Sequence, residues 1–328
     1  MNTLQQKQNI PAVGITLPLY NKGKYIARAL DSIFAQTYQD FEIIVVDDGS
    51  SDNGPDIVSC YNDPRIRLIR QGNAGPGAAR NRGICETTAP LLAFLDADDE
   101  WLPEFLEKSV QRLQLHPDCV LSAAGQYRTA DRISWEPKWR SLGITEGPWR
   151  MPTNTDPRFM KRAIDFFHPG DIVCRREVIE RFGGFYTKDC CNYGEDVYLW
   201  VQIALNYKIY LDPAPLFWWH TEASEISAYS PRKLVPRWPM LTNPEPIRSD
   251  CPPEYRVLLE RYLAYLALFA ACRCARSGDA ITAQKLLTCY PLARIFVWNY
   301  AKTQLHIALA SLPRLQHWIR QARDLMWS

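Results

Sequence analysis

The chain has 328 residues, 47% of them hydrophobic, and a formal net charge of +2. This is enough for a sizeable core, in one large domain with an appendage or in two domains. The near balance of charge supplies no global field for nucleic acid, so no nucleic-acid partner is expected.

Residues 1–8 are polar and hold no apolar signal core. Val13-Gly14-Ile15-Thr16-Leu17 then reads as a strand and runs into Pro18-Leu19-Tyr20-Asn21. Tyr25, Ile26, Ala29, Leu30, Ile33 and Phe34 recur at helical spacing, with Asn21 as a candidate cap. Phe41 to Val46 is a second apolar, β-branched run, and it ends in Asp47-Asp48-Gly49-Ser50-Ser51-Asp52. Ile66 to Ile69 is a third strand, followed by a glycine-rich segment from Gly72 to Asn81. Leu91 to Leu95 is a fourth, running straight into Asp96-Ala97-Asp98-Asp99. Pro103 suits the first turn of a helix reaching about Leu115, and Pro117 follows its end. Strand and helix alternate over the first 120 residues or so, which predicts βαβ units and a mainly parallel sheet.

Three strands thus end in polar residues suited to a site. In open α/β sheets, ligands bind outside the carboxyl ends of the strands. Carboxylates there suit a divalent cation, or a diphosphate held through one. An acidic turn capping the next helix is the alternative. In the segment Gly72–Asn81, glycines let backbone N–H groups approach a ligand, and the helix N-terminus behind it favours anions. Its spacing matches neither a dinucleotide fingerprint nor a Walker loop. Arg80 either faces the same ligand or lies on the surface.

The stretch 135–167 is rich in Trp and Pro (Trp135, Trp139, Trp149, Pro148, Pro152, Pro157) and reads as a loop or insertion. Its aromatic rings could stack on a sugar or pack the loop down. The ten cysteines include no repeated C-x-x-C, so neither a zinc site nor a disulfide framework is visible and a reduced, cytosolic protein is expected. The apolar run 262–272 is too short to cross a bilayer. Prolines 236, 239, 244, 246, 252 and 253 read as a linker. Leu258 to Phe269 then marks a helix ended by Ser277-Gly278-Asp279, and Ala280 to Thr288 a second, together a helical hairpin. The tail 292–328 combines Arg294, Lys302, Arg314, Arg320 and Arg323 with Trp298, Trp318 and Trp327. It suits peripheral contact with an anionic membrane, or packing on the preceding domain or in a homodimer.

Four motifs in this order and spacing resemble glycosyltransferase family 2: Pro18-Leu19-Tyr20-Asn21; Val46-Asp47-Asp48-Gly49-Ser50; Asn73-Ala74-Gly75 with Ala79-Arg80-Asn81; and Asp96-Ala97-Asp98. Downstream, Arg175-Arg176-Glu177-Val178 with Phe182-Gly183-Gly184-Phe185 is similar to the family's acceptor-side segment. Tyr193-Gly194-Glu195-Asp196 and Trp218-Trp219-His220 continue the likeness, which spans roughly residues 10–230.

The resemblance implies a GT-A fold: an α/β, Rossmann-like, mainly parallel sheet flanked by helices, followed here by a C-terminal helical region. It divides the chain into a transferase domain over 1–235 and a linker with helices over 236–328. The nucleotide-sugar half of the former would cover about 10–120 and the acceptor half 121–235. Pro18, Tyr20, Asp47, Asp48, Asn73, Gly75, Arg80 and Asp96 would hold the nucleotide, with Asp48 on the base. Asp98 would bind Mg²⁺ or Mn²⁺ directly, Asp96 the ribose or metal, and His220 the metal or diphosphate. Asp196 would be the general base and Glu195 its support, at a helix N-terminus that acidic residues also suit on their own. The implied reaction is inverting transfer from a nucleotide sugar, UDP being favoured and dTDP open, to a glycan or lipid-linked acceptor in surface polysaccharide synthesis. It would take place in the cytoplasm or at the inner face of the plasma membrane. A non-catalytic nucleotide-sugar-binding module is the alternative, and a nucleotidyltransferase a weaker one.

Overall fold

The computed structural model describes residues 10–188, 191, 193–223 and 238–311. Among these, ten strands form one mixed sheet. They are β1 (Val13–Leu19), β2 (Phe41–Asp47), β3 (Ile66–Arg70), β4 (Leu91–Phe94), β5 (Glu100–Trp101), β6 (Cys119–Arg128), β7 (Ile133–Ser134), β8 (Gly147–Trp149), β9 (Ile172–Arg175) and β10 (Lys208–Trp219). Their order is β3-β2-β1-β4-β9-β6-β10-β5, with β7 on β6 and β8 on β10. β3, β2, β1 and β4 pair in parallel. β9 runs antiparallel between β4 and β6, and β6 pairs in parallel with β10. The helices are α1 (Ile26–Phe34), α2 (Gly54–Ser59), α3 (Pro76–Glu86), α4 (Phe105–Leu115), α5 (Glu136–Ser141), α6 (Pro157–Ile164), α7 (Arg176–Arg181), α8 (Glu195–Asn206), α9 (Pro239–Thr242), α10 (Glu245–Asp250), α11 (Arg256–Arg276), α12 (Ala280–Cys289) and α13 (Val297–Ala310). The α/β class, the mainly parallel sheet and the C-terminal helices are as the sequence predicts.

The parallel half follows from its apolar runs. Val13, Ile15, Leu17, Ile43, Val45 and Ala93 are buried in one cluster with Ile26, Ala29, Leu30 and Ile33 of α1. Each fully buried Val, Leu or Ile contributes about 1.5–3 kcal/mol. On α3, Gly83 lies so close to β1 that a Cβ there would stand 2.2 Å from the Thr16 side chain. The missing side chain therefore lets α3, which carries Arg80, sit directly on the central strand.

Several local expectations need correction. Asn21 does not cap α1; the N-cap is Tyr25, and no side chain caps that helix. Asn21 has φ 51° and its Oδ1 accepts from the Ser51 amide, tying the end of β1 to the loop after β2. The carboxylates after β4 do not cap α4, whose N-cap is Glu104. Residues 135–167 are not a bare loop, since they form α5, β8 against β10, and α6. Trp139 is fully buried against Phe166 and so serves packing. The Pro-rich stretch also folds, as α9, α10 and a 3-10 turn at Pro253–Tyr255, with Met240, Ile247 and Tyr255 buried.

Contacts divide the chain into two units, residues 1–151 with 163–230, and residues 152–162 with 231–328. In the second, α11 and α12 form the hairpin expected. Leu268, Ala271, Cys274 and Ala275 pack with Ala283, Leu287 and Ile307, and the Asp279 side chain caps α12. None of the nine cysteines among the described residues is paired. No described helix is long and apolar enough to cross a membrane.

Candidate active site

Parallel pairing brings three motifs to one edge. Leu19 is in register with Asp47, and Thr16 with Phe94, so β1, β2 and β4 end side by side. Pro18 and Tyr20, Asp47 and Asp48, and Asp96 to Asp99 therefore lie at or just beyond the carboxyl ends of neighbouring strands. Tyr20 is exposed there.

Asp48 is buried, and its carboxylate organises the glycine-rich loop. Its Oδ1 accepts from Gln71 Nε2 at 2.8 Å and the Ala74 amide at 2.9 Å, and its Oδ2 from the Gly75 amide at 2.8 Å. Gly75 takes φ +91°, a conformation that favours glycine. Asp48 thus acts as the loop's anchor, where the sequence suggests direct contact with a base. Asp47 accepts the Ser50 amide at 2.9 Å and lies 3.9 Å from Arg70. Asn73 is exposed beside these groups.

Arg80 is not a surface residue. It is buried on α3, with Nη1 2.9 Å from Glu195 Oε1 and Nη2 2.5 Å from Asp96 Oδ1, and its guanidinium lies over the Phe185 ring. Burial opposes its charge, but Asp96, Glu195 and Asp196 outweigh this and hold its pKa above the usual arginine value. Asn81 accepts from the Phe185 amide and donates to its carbonyl, fastening α3 to the segment that leads toward α8. This brings Glu195 and Asp196, the first residues of α8, to the carboxylate cluster.

Around Asp96 the negative charge is dense. Burial would raise Asp96, but Arg80 reverses this and keeps it below the usual carboxylate range. Asp98 is pushed up by burial and by Asp96, although Lys22 Nζ lies 2.9 Å from its Oδ2. Asp99 is pushed well up by burial and then by Asp98 and Asp96. Glu195 is pushed up to about 7, by burial first and then by Asp196, against Arg80. Asp196 is raised too, chiefly by burial.

His220 departs from its expected place as a metal ligand. Its Nε2 is 2.7 Å from Glu100 and its Nδ1 2.9 Å from Glu222, so both ring nitrogens are committed. Only its amide reaches the cluster, donating to Asp99 at 2.9 Å. A different histidine approaches the carboxylates: Asp96, Asp99 and His168 each bring a ligand atom within 4.8 Å of the others. The ring of His168 packs against those of Phe217 and Trp219, and its Nδ1 accepts from the Gly170 amide at 3.1 Å. That bond leaves the ring proton on Nε2, so His168 presents a donor and not a lone pair. Burial lowers its pKa to about 4, leaving it neutral at ordinary pH.

The donor set fits a hard divalent cation. Asp96 and Asp99 have the spacing of oxygen ligands to one ion, whereas Asp98 lies outside that group and is held by Lys22; the crowding that raises Asp98 and Asp99 is what such an ion would relieve. Sequence reasoning missed Lys22, Arg28 and His168. Lys22 and Arg28 flank a motif but belong to none, although Arg28 reaches both the Asp98 carbonyl and Glu100. His168 stands alone in the sequence, and only the packing of β9 beside β4 brings it in.

The family model described as Glycosyl transferase family 2 matches residues 15–183, which stops short of Glu195–Asp196 and His220. The succinoglycan biosynthesis protein ExoO of Rhizobium meliloti is 40% identical over 176 residues, 52% of this chain and 48% of that one. The chain spans about half the length of the curated relatives it matches. The crystal structure of S. aureus TarS 1-349 in complex with UDP-GlcNAc superposes with TM-score 0.69 at 17% identity, covering 94% of this chain and 92% of that one. The mannosyltransferase PcManGT from Pyrobaculum calidifontis, in complex with GDP-Man and Mn²⁺, gives TM-score 0.54 at 20% identity, covering 97% and 86%. These two structural likenesses establish the GT-A fold.

Proposed function

The chain belongs to glycosyltransferase family 2, and from that premise we propose that it transfers a sugar from a UDP-sugar to a hydroxyl of a glycan or lipid-linked acceptor, with inversion at the anomeric carbon. The observation that carries this reading is Arg80, which joins a donor-side carboxylate, Asp96, to an acceptor-side one, Glu195. UDP-GlcNAc in TarS and the polysaccharide pathway of ExoO support the donor and acceptor classes.

The strand-end residues Pro18, Tyr20, Asp47, Asn73 and Gly75 receive the nucleotide, Tyr20 offering a ring face and Asp48 holding the loop in shape. Asp96, Asp98 and Asp99 would hold Mg²⁺ or Mn²⁺, which when bound neutralises the diphosphate leaving group. His168 donates from Nε2 toward the same region. The acceptor oxygen attacks the anomeric carbon on the face opposite the diphosphate. The carbon–oxygen bond to phosphate breaks, its electron pair leaves with the nucleoside diphosphate, and Asp196 takes the hydroxyl proton. Glu195, committed to Arg80, positions Asp196 and does not take the proton itself. A raised pKa makes Asp196 a better base than an ordinary aspartate. Use of a nucleotide sugar supports action on the cytoplasmic side.

Thermal-shift binding against a panel of nucleotide sugars, each with Mn²⁺ or EDTA, tests the reading. A cation-dependent rise in Tm with a UDP-sugar is the expected result. No rise with any donor would overturn it.

A further inference from the structure

Among the described residues, twelve large apolar side chains are exposed, and six of them lie between 281 and 305: Ile281, Leu292, Ile295, Val297, Trp298 and Leu305. The concentration is sharpest on α13. Trp298, Ala301, Lys302, Leu305 and Ala308 are exposed and share one side of the helix, whereas Thr303, Ile307 and Ala310 are buried on the opposite side. A surface helix of a water-soluble unit has polar residues on its outer face. Here that face is apolar apart from Lys302, and Trp298 stands 89% exposed.

Charge identifies the partner. Residues 280–311 carry Lys285, Arg294 and Lys302 and no Asp or Glu, and all three basic side chains are exposed. Exposed Trp and Leu flanked by cations, without one acidic group, match the interfacial zone of a negatively charged bilayer. There the indole sits at headgroup level, and the cations meet lipid phosphates. A protein partner would need a complementary acidic apolar surface. A second copy of this face would bring its own cations against these.

We propose that the α13 face formed by Trp298, Ala301, Lys302, Leu305 and Ala308 docks on an anionic lipid bilayer, lying on the surface without spanning it. The proposal stands apart from the transferase reading, because it involves no donor, metal or carboxylate of the site.

The test is co-sedimentation of the full chain with vesicles of phosphatidylcholine alone, or with about one third phosphatidylglycerol to give an anionic surface. Wild type should pellet with the anionic vesicles and remain in solution with the neutral ones, and raised salt should weaken binding. The double variant W298A/L305A should lose about tenfold or more in vesicle affinity, because the buried apolar anchor is gone. K302E should weaken binding to anionic vesicles alone. These positions are exposed, so the Tm of each variant and its shift with a UDP-sugar should match wild type, which separates this proposal from the transferase reading. The proposal is overturned if wild type does not pellet, or if W298A/L305A pellets as well as wild type. It is overturned equally if light scattering shows a dimer that W298A/L305A dissociates while vesicles capture nothing, since the face is then an interface between copies.

Discussion

Arg80 Nη1 stands 2.9 Å from Glu195 Oε1, although the two residues are 115 positions apart in the chain. The same guanidinium holds Asp96, so one buried cation joins the end of β4 to the start of α8. Removing one partner of a buried ion pair leaves an uncompensated charge and costs about 3–5 kcal/mol. Arg80→Ala should therefore lower the free energy of unfolding by that order in a urea titration. A loss below about 1 kcal/mol, the range of an exposed pair, would mean that the three groups are not buried together.

Lys22 Nζ lies between Asp98 Oδ2 and the Ala223 carbonyl, which it reaches at 2.7 Å. It therefore occupies with an ammonium the carboxylate proposed to bind the cation. Lys22→Met should lower the Tm of the cation-free protein, because Asp98 loses its counter-charge, and should tighten Mn²⁺ binding about tenfold, a gain of about 1.4 kcal/mol. Calorimetric titration of Mn²⁺ without nucleotide reads this directly. Weaker binding in the variant would show that Lys22 does not compete with the cation.

Stability should depend on pH in a definite direction. Glu195 is raised to about 7, and Asp98, Asp99 and Asp196 are raised as well, so the folded state favours their neutral forms. Such groups contribute stability that is complete below their unfolded pKa and is lost as pH rises through the folded value. Asp96 is lowered and acts oppositely. His168, lowered to about 4, also acts oppositely, and the four raised carboxylates outnumber these two, so the Tm of the cation-free protein should fall between about pH 4.5 and 7. Mn²⁺ needs ionised carboxylates, so it should raise the Tm strongly at pH 8 and little at pH 5. An Mn²⁺ shift independent of pH would contradict the proposed ligand set.

His168 offers a separate check on the tautomer. If the Gly170 amide holds Nδ1, His168→Gln should retain a donor toward the diphosphate and keep donor affinity within a fewfold of wild type. His168→Phe should weaken it by about tenfold, the cost of one lost charge-assisted hydrogen bond. Equal affinity in the two variants would remove His168 from the donor site.

The fold of the donor side was legible because apolar runs there alternate with helical spacing and end in polar clusters. Val13–Leu17, Phe41–Val46 and Leu91–Leu95 each lead to a site residue within a few positions. The partners of those residues were not legible. Asp48 looks free in sequence, yet its carboxylate is filled by amides from residues 74 and 75, which only the loop's path brings near. His220 looks like a ligand after two tryptophans, but Glu100 and Glu222 claim its ring through the β5–β10 pairing. Periodicity reports which side of an element is buried, whereas ion pairs between distant residues depend on how the strands are ordered in the sheet.

The most direct test is Asp196→Asn, assayed for donor binding and for sugar transfer in parallel. If Asp196 is the base in a site that Arg80 joins to the donor carboxylates, the variant should bind UDP-sugar with Mn²⁺ as wild type does. It should lose about 10²–10⁴-fold in kcat, the usual cost of removing a general base. Transfer within a fewfold of wild type would contradict the account.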